Sequence, residues 1–504
     1  MQRSNKLKRL FIIKNVTINN FISKKVTLNK VKASRIFSIS KLAIGVFAIC
    51  TILTVNASEL TATDISSNLP ASNEVASNEI ALDEVIHTEK MPSHLPQKDE
   101  KMHMGVASCA ASMCHGSVSA TEGSNILQNE YIIWSREDPH SQAYKTLLTQ
   151  ESQDIADKLG LGKATTAGVC LDCHSDNVPT EYQSKSFQIS DGVGCESCHG
   201  GAENYLSSHT DSTQSHAENI AHGLYPTDEP QQRAKLCLSC HLGNEDKQAT
   251  HDIMGAGHPR LAFELDTFGI LQPLHYVVDE DYKSKKWSGD SYITWIYGQL
   301  EANKETLNIL ENKIVHNKGL FPELSLFDCY ACHHPMSDLK WTETKGKGSK
   351  PGTVRLNDGN FKMLLAIAAS TGFFTSVQEN LNTLRNNLHN NVLLPIVVNK
   401  LFADIQAIEK VISKQSLSER KLSAALILTE ILKTGSNDEF SDYIAAEQAV
   451  MAIDLLIVYI GDKAIYQQDI VDLFTIVNND EQYNSTLFAT KLLEIMNKMK
   501  INHQ

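Results

Sequence analysis

The sequence predicts a mainly α-helical protein, built as a cysteine- and histidine-rich core with little regular sheet followed by a helical C-terminal domain. Three observations predict this. Ten of the eleven cysteines fall between residues 109 and 332, in five short motifs that each end in histidine. Residues 360–504 hold no cysteine and one proline, Pro395, and their apolar residues recur every three to four positions, the period of an amphipathic helix. Between the two parts lies Lys345-Gly-Lys-Gly-Ser-Lys-Pro-Gly352, a composition that makes a loop or a boundary.

The chain begins with an export pattern. Residues 1–41 carry eleven Lys and Arg and no Asp or Glu, and an apolar run, 42–55, follows with a small-residue exit at Ala57. The run is short for a bilayer, so 1–57 reads as a cleaved signal peptide, with an uncleaved inner-membrane tether as the alternative. Cys50 lies within the run as a small hydrophobe. Removal of 1–57 leaves 35 basic against 59 acidic residues, a formal charge of −24. That charge disfavours nucleic acid and anionic membrane surfaces. It suits a periplasmic or extracellular protein whose redox partners present basic docking surfaces.

Residues 58–102 are polar and free of aromatic side chains, and read as a flexible leader. The cysteine-rich domain is set at 103–345, a linker at 346–359 and the helical domain at 360–504. Within the last, the windows 361–369, 377–388, 393–411, 422–432, 443–460 and 487–499 predict five to seven helices.

Four motifs read C-x-x-C-H: Cys170/Cys173/His174, Cys195/Cys198/His199, Cys237/Cys240/His241 and Cys329/Cys332/His333. A fifth, Cys109/Cys114/His115, is a stretched C-x4-C-H form, for which a structural disulfide is the competing reading. In an exported chain the repeated pattern means covalent haem. Two thiols form thioethers to the porphyrin vinyls, and the histidine after the second cysteine is placed to ligate iron. Covalent attachment lets a small, loop-rich polypeptide hold a large apolar cofactor. Five haems c are expected, with proximal ligands His115, His174, His199, His241 and His333.

The sixth position of each iron needs a further ligand. Ten spare histidines lie in or near the domain: His103, His140, His209, His216, His222, His251, His258, His275, His316 and His334. Of these His140, His209, His216, His251 and His258 are the preferred candidates. His140 follows Asp138-Pro139 at a probable helix start. His209 and His216 follow the third motif, and His251 and His258 bracket Met254-Gly-Ala-Gly257. Two glycines there permit close backbone approach to a flat cofactor, and Pro259 fixes the dihedral after His258. Arg260 is a candidate partner for a haem propionate, with a plain salt bridge as the alternative.

The stretched first motif with Gly116, Asn129-Glu-Tyr-Ile-Ile-Trp134, Asp138-Pro-His140, Asp191-Gly-Val-Gly-Cys-Glu-Ser-Cys-His-Gly200 and Gly257-His-Pro-Arg-Leu261 resemble the cytochrome c554-related multihaem proteins over about residues 105–335. The resemblance implies closely spaced haem pairs, mostly bis-histidine irons and periplasmic electron transfer. It extends distantly to hydroxylamine oxidoreductase and pentahaem nitrite reductase. The namesake has four haems, and no motif here carries the lysine that marks the catalytic haem of the nitrite reductases. Two functions are therefore expected: an electron carrier between an inner-membrane donor and a terminal acceptor, or an oxidoreductase acting on hydroxylamine, nitrite or a sulfur oxyanion at an open iron. For the second, His258, Arg260 and Tyr466 are the candidate proton-handling residues. The helical tail leaves a homo-oligomer open.

Overall fold

The computed structural model describes residues 94–120, 127–285, 290–315, 323–333 and 355–502. The expected signal peptide, most of the expected leader and most of the expected linker, with His316 and His334, lie outside them. The chain is mainly α-helical. Among the described residues the only extended pairings are isolated bridges, His103 to Gln183 and Phe327 to Leu356.

The two parts expected from the sequence are built differently. In the cysteine-rich part the helices are short, such as Gly168–His174, Cys195–His199, Pro230–His241 and His251–Ala256, with 3-10 turns between them. Their apolar clusters are correspondingly small: Leu147, Ala156, Ala164 and Leu171 form one, and Ala234, Leu238, Leu265 and Ala302 another. So few buried side chains leave the polypeptide short of a core of its own.

The C-terminal part has seven helices: Gly359–Thr371, Phe374–Asn386, Leu393–Ile412, Leu417–Ser436, Tyr443–Ile460, Lys463–Ile476 and Ser485–Asn502. Local chemistry sets their ends. Pro395 sits in the first turn of its helix, where its missing N–H breaks no intrahelical bond. Ser416 and Glu419 close a capping box, and Gly461 ends Tyr443–Ile460 in the left-handed conformation at φ 100°. Tyr443–Ile460 is long and apolar enough to cross a membrane, but Ala446, Ala449, Ile453, Leu456 and Ile457 are buried in the helical core, which accounts for its composition.

Two boundaries differ from expectation. The Ser291–Leu310 helix, assigned to the cysteine-rich domain, inserts Tyr292, Trp295, Ile296, Leu300, Leu307 and Leu310 into the C-terminal core. On another face it packs against Pro230–His241, with Ala302 meeting Leu238. The core thus begins well before residue 360. At the other end, residues of the assigned leader are folded: Gln97 donates to the Ser175 carbonyl at 3.0 Å, and Asp99 accepts from Gly201 N at 3.2 Å. Polar residues of this stretch cap backbone groups of the cysteine-rich part, which composition alone does not reveal.

Candidate functional site

Four of the five motifs fold as a single helical turn or the end of a longer helix. Residues three and four apart share one face of a helix, so both thiols and the imidazole of C-x-x-C-H point the same way. The stretched motif reaches a similar result by a loop. Its Cys114 N donates to Ala111 O at 2.8 Å, and His115 N reaches back to Cys109 O at 3.1 Å. Gly116 closes the loop so tightly that a Cβ there would lie 1.9 Å from the Ala110 carbonyl oxygen. All ten motif cysteines are free, Cys109 and Cys114 included, so the disulfide reading of that pair is not what the fold adopts. A cavity of about 400 Å³, bounded by Val106, Ala110, Ala111 and Tyr131, lies against this first motif.

Each motif histidine is faced by a second histidine. Ring centroids are 6.2 Å apart for His115 and His209, 6.4 Å for His174 and His258, and 6.3 Å for His199 and His275. They are 6.0 Å apart for His241 and His140, and 6.2 Å for His333 and His251. A metal–imidazole bond of about 2.0 Å plus the ring's own radius on each side puts two rings on opposite sides of one metal about 6 Å apart. All five separations match that value, and they are too long for direct stacking.

The anchoring of the rings points to the same use. His115 Nδ1 meets Glu130 at 3.0 Å, His140 Nδ1 meets Asp138 at 2.8 Å, and His209 Nδ1 meets the Tyr205 carbonyl at 2.8 Å. His174 Nδ1 contacts Thr146 Oγ1 at 2.9 Å and Ala143 O at 3.1 Å, and His258 Nδ1 meets Pro259 O at 2.8 Å. In each case Nε2 is left for a ligand, which is how an outer partner fixes the tautomer of a metal-binding histidine. Ligation also needs a neutral ring. Burial lowers His258 and His275 below the ordinary histidine value, and burial, then the neighbouring His140, takes His241 down to about 4, whereas the hydrogen bonds to Glu130 and Asp138 raise His115 and His140 above it.

The expectation for His216 is corrected. The five motif histidines face other rings, and the Nε2 of His216 meets both Asp228 oxygens at 3.1 and 3.0 Å. The fifth facing histidine is His275, and its immediate sequence, Pro273-Leu-His-Tyr276, gave no reason to prefer it. His103 is fully buried and uses both ring nitrogens, on Asp176 at 2.8 Å and the Pro96 carbonyl at 3.2 Å, so it is a structural residue. His222 meets Ser208 Oγ. Arg260 forms an ion pair with Glu447 at 2.7 Å and lies over the Tyr443 ring, the plain salt bridge of the two alternatives. Tyr466 is buried in the helical core under the Lys498 ammonium. Gly255 has open space where a Cβ would project, so of the two glycines only Gly257 is demanding, at φ 128°. It ends the His251–Ala256 helix, so that His251 and His258 address different partners. Glu130, Asp138, Thr146 and Tyr205 were missed, although the Asp138-Pro-His140 triplet is itself a turn signal that places a carboxylate beside the ring.

Several motifs are near one another. Cys109 of the first motif interacts with Cys195 of the third, and Cys198 of the third is within electrostatic reach of Cys237 of the fourth. Cys240 of the fourth motif approaches the Asp172 carbonyl of the second at 3.9 Å. The single helix His251–Ala256 and its cap then link the second pair, through His258, to the fifth, through His251. Among the described residues the exposed cysteines are Cys114 of the first motif and Cys332 of the fifth.

Thiols paired on one face, with a histidine beside them and an anchored imidazole opposite, fit a covalently held haem, the arrangement of a c-type cytochrome in electron transfer. Residues 108–200 match the family model of cytochrome c554 and c-prime, so the chain is cytochrome c554-related in that segment. No curated protein and no solved structure matches the chain.

Proposed function

We propose that the protein is an exported carrier that moves electrons along five covalently attached haems, each iron held between two histidines of this chain. The observation that carries the reading is the set of five histidine pairs at 6.0 to 6.4 Å. Cys109/Cys114, Cys170/Cys173, Cys195/Cys198, Cys237/Cys240 and Cys329/Cys332 would hold the groups. His115/His209, His174/His258, His199/His275, His241/His140 and His333/His251 would supply the axial nitrogens. Bound haem supplies reversible one-electron reduction at iron. Outer partners at Nδ1 of His115, His140, His174, His209 and His258 would keep those rings from turning through that cycle. Every motif histidine is faced in this way, which supports a carrier over the oxidoreductase alternative with its open iron.

The acidic chain, −24 after removal of 1–57, supports docking to partners with basic surfaces. Periplasmic placement rests on the signal-like first 57 residues and on the need of haem attachment for an exported chain. Intact mass of the purified protein should exceed the processed polypeptide by five haems, and the oxidised protein should be entirely low-spin. Four haems, or a high-spin component before any substitution, would overturn the corresponding part of the proposal.

A further inference from the structure

The ammonium of Lys247 sits at the seam between the second and fourth motifs. It donates to Cys240 Sγ at 3.2 Å, to the Asp172 carbonyl at 3.0 Å and to Gln97 Oε1 at 2.8 Å. Gln97 and the Asp172 carbonyl are neutral acceptors, and a thioether at Cys240 would be neutral as well, so in the attached protein these contacts place a positive charge without neutralising it. Of the neighbouring acids, Asp246 pairs with Lys98 at the surface, while the Asp172 carboxylate accepts from the neutral Asn177 amide at 2.6 Å and keeps its charge.

The loop that carries Lys247 is fixed. Asn244 Oδ1 accepts from Asp246 N at 3.0 Å and Lys247 N at 3.1 Å, and Asn244 N donates to Lys247 O at 2.8 Å. Gly243, at φ 97°, lets the chain turn there, and a Cβ on it would lie 2.8 Å from the Lys247 carbonyl oxygen. Such a turn does not hold a lysine at one point by accident of solvation.

We propose that Lys247 is a positioning residue that raises the reduction potential of the groups held at Cys170/Cys173 and Cys237/Cys240. The inference rests on the haem reading above. In the attached protein the Cys240 sulfur is a thioether, which still accepts weakly. A nearby fixed cation favours the ferrous state, which has one positive charge fewer than the ferric state, and the partly buried setting leaves that effect only partly screened.

The test is a potentiometric titration of the full chain between ferricyanide and dithionite, followed by visible spectroscopy, for the wild type, Lys247→Met and Lys247→Arg. In Lys247→Met the reduction equilibrium of two haems should fall about tenfold, 59 mV for one electron, and Lys247→Arg should restore most of it. Five low-spin haems with an unchanged titration curve in Lys247→Met would overturn the proposal. So would loss of haem from the second and fourth motif peptides in Lys247→Met and Lys247→Arg alike, which would make the residue a folding element. Absence of haem from those two peptides in the wild type would instead fail the haem reading itself, and peptide mapping separates the two results.

Discussion

The imidazole planes of His115 and His209 lie 8° apart, whereas His241 and His140 cross at 86°. Their surroundings differ accordingly. Glu130 and the Tyr205 carbonyl hold the first two rings at Nδ1; in the fourth pair Asp138 takes both the His140 backbone N–H at 2.9 Å and its Nδ1 at 2.8 Å, while His241 stacks on the Phe263 ring at 4.4 Å. The second and third pairs cross at 84° and 83°, and the fifth at 34°.

These angles are spectroscopically distinct. Low-spin ferric iron between near-parallel imidazoles gives a rhombic paramagnetic resonance spectrum, and between near-perpendicular ones a strongly anisotropic, low-field signal. The oxidised protein should therefore show three irons of the anisotropic type and at least one rhombic iron. Five rhombic signals would mean that the ring planes are not those fixed by Asp138 and its counterparts.

His275 and His216 provide a paired test of ligand assignment. His275→Ala should leave five haems attached and convert one from low to high spin, because His199 loses the ring opposite. His216→Ala should leave all five low-spin, since it removes only a contact to Asp228. The reverse outcome, seen in the visible spectrum at room temperature, would restore His216 to the ligand set.

These two residues also show how far the sequence could be read. The motifs gave candidate thiols and rings because C-x-x-C-H is a fixed local spacing, legible without the fold. The facing rings are set by tertiary structure. His140 and His258 stand beside proline and glycine signals that hint at rigid placement, but His275 lies in a plain loop, and only the fold brings it to His199. The helical period of 360–504 was legible for the same local reason as the motifs. That Ser291–Leu310 belongs to the same core was not, because an apolar helix does not state which neighbour it buries against.

His103 gives a pH dependence whose sign can be worked out. Burial alone would lower its pKa, but hydrogen bonds to Asp176 and Asp99 prevail and raise it from 6.5 to about 10. A group with a raised folded-state pKa contributes stability that is fully present below the unfolded value and lost as pH climbs through the folded one. Thermal stability should thus decline between about pH 6.5 and 10, by at most a few kcal/mol from this residue. His103→Gln should be less stable at pH 6 and show a flatter profile over that window. An unchanged slope in the variant would assign the decline to other groups.

Removal of residues 346–504 should not yield an independent cytochrome. The Ser291–Leu310 helix would be left with Tyr292, Trp295, Ile296, Leu300, Leu307 and Leu310 exposed, all of them fully buried in the intact chain. Each large apolar side chain taken out of water contributes about 1.5 to 3 kcal/mol, so their summed loss is comparable to the total stability of a typical domain, about 5 to 15 kcal/mol. The same helix packs against Pro230–His241, which carries Cys237, Cys240 and His241. Damage should therefore reach the fourth histidine pair first. The truncated chain is expected to aggregate, or to be recovered with a high-spin or missing haem at the fourth motif, as read by peptide mapping and visible spectroscopy. A soluble truncated protein with five low-spin haems would show instead that the cysteine-rich part folds without its helical neighbour.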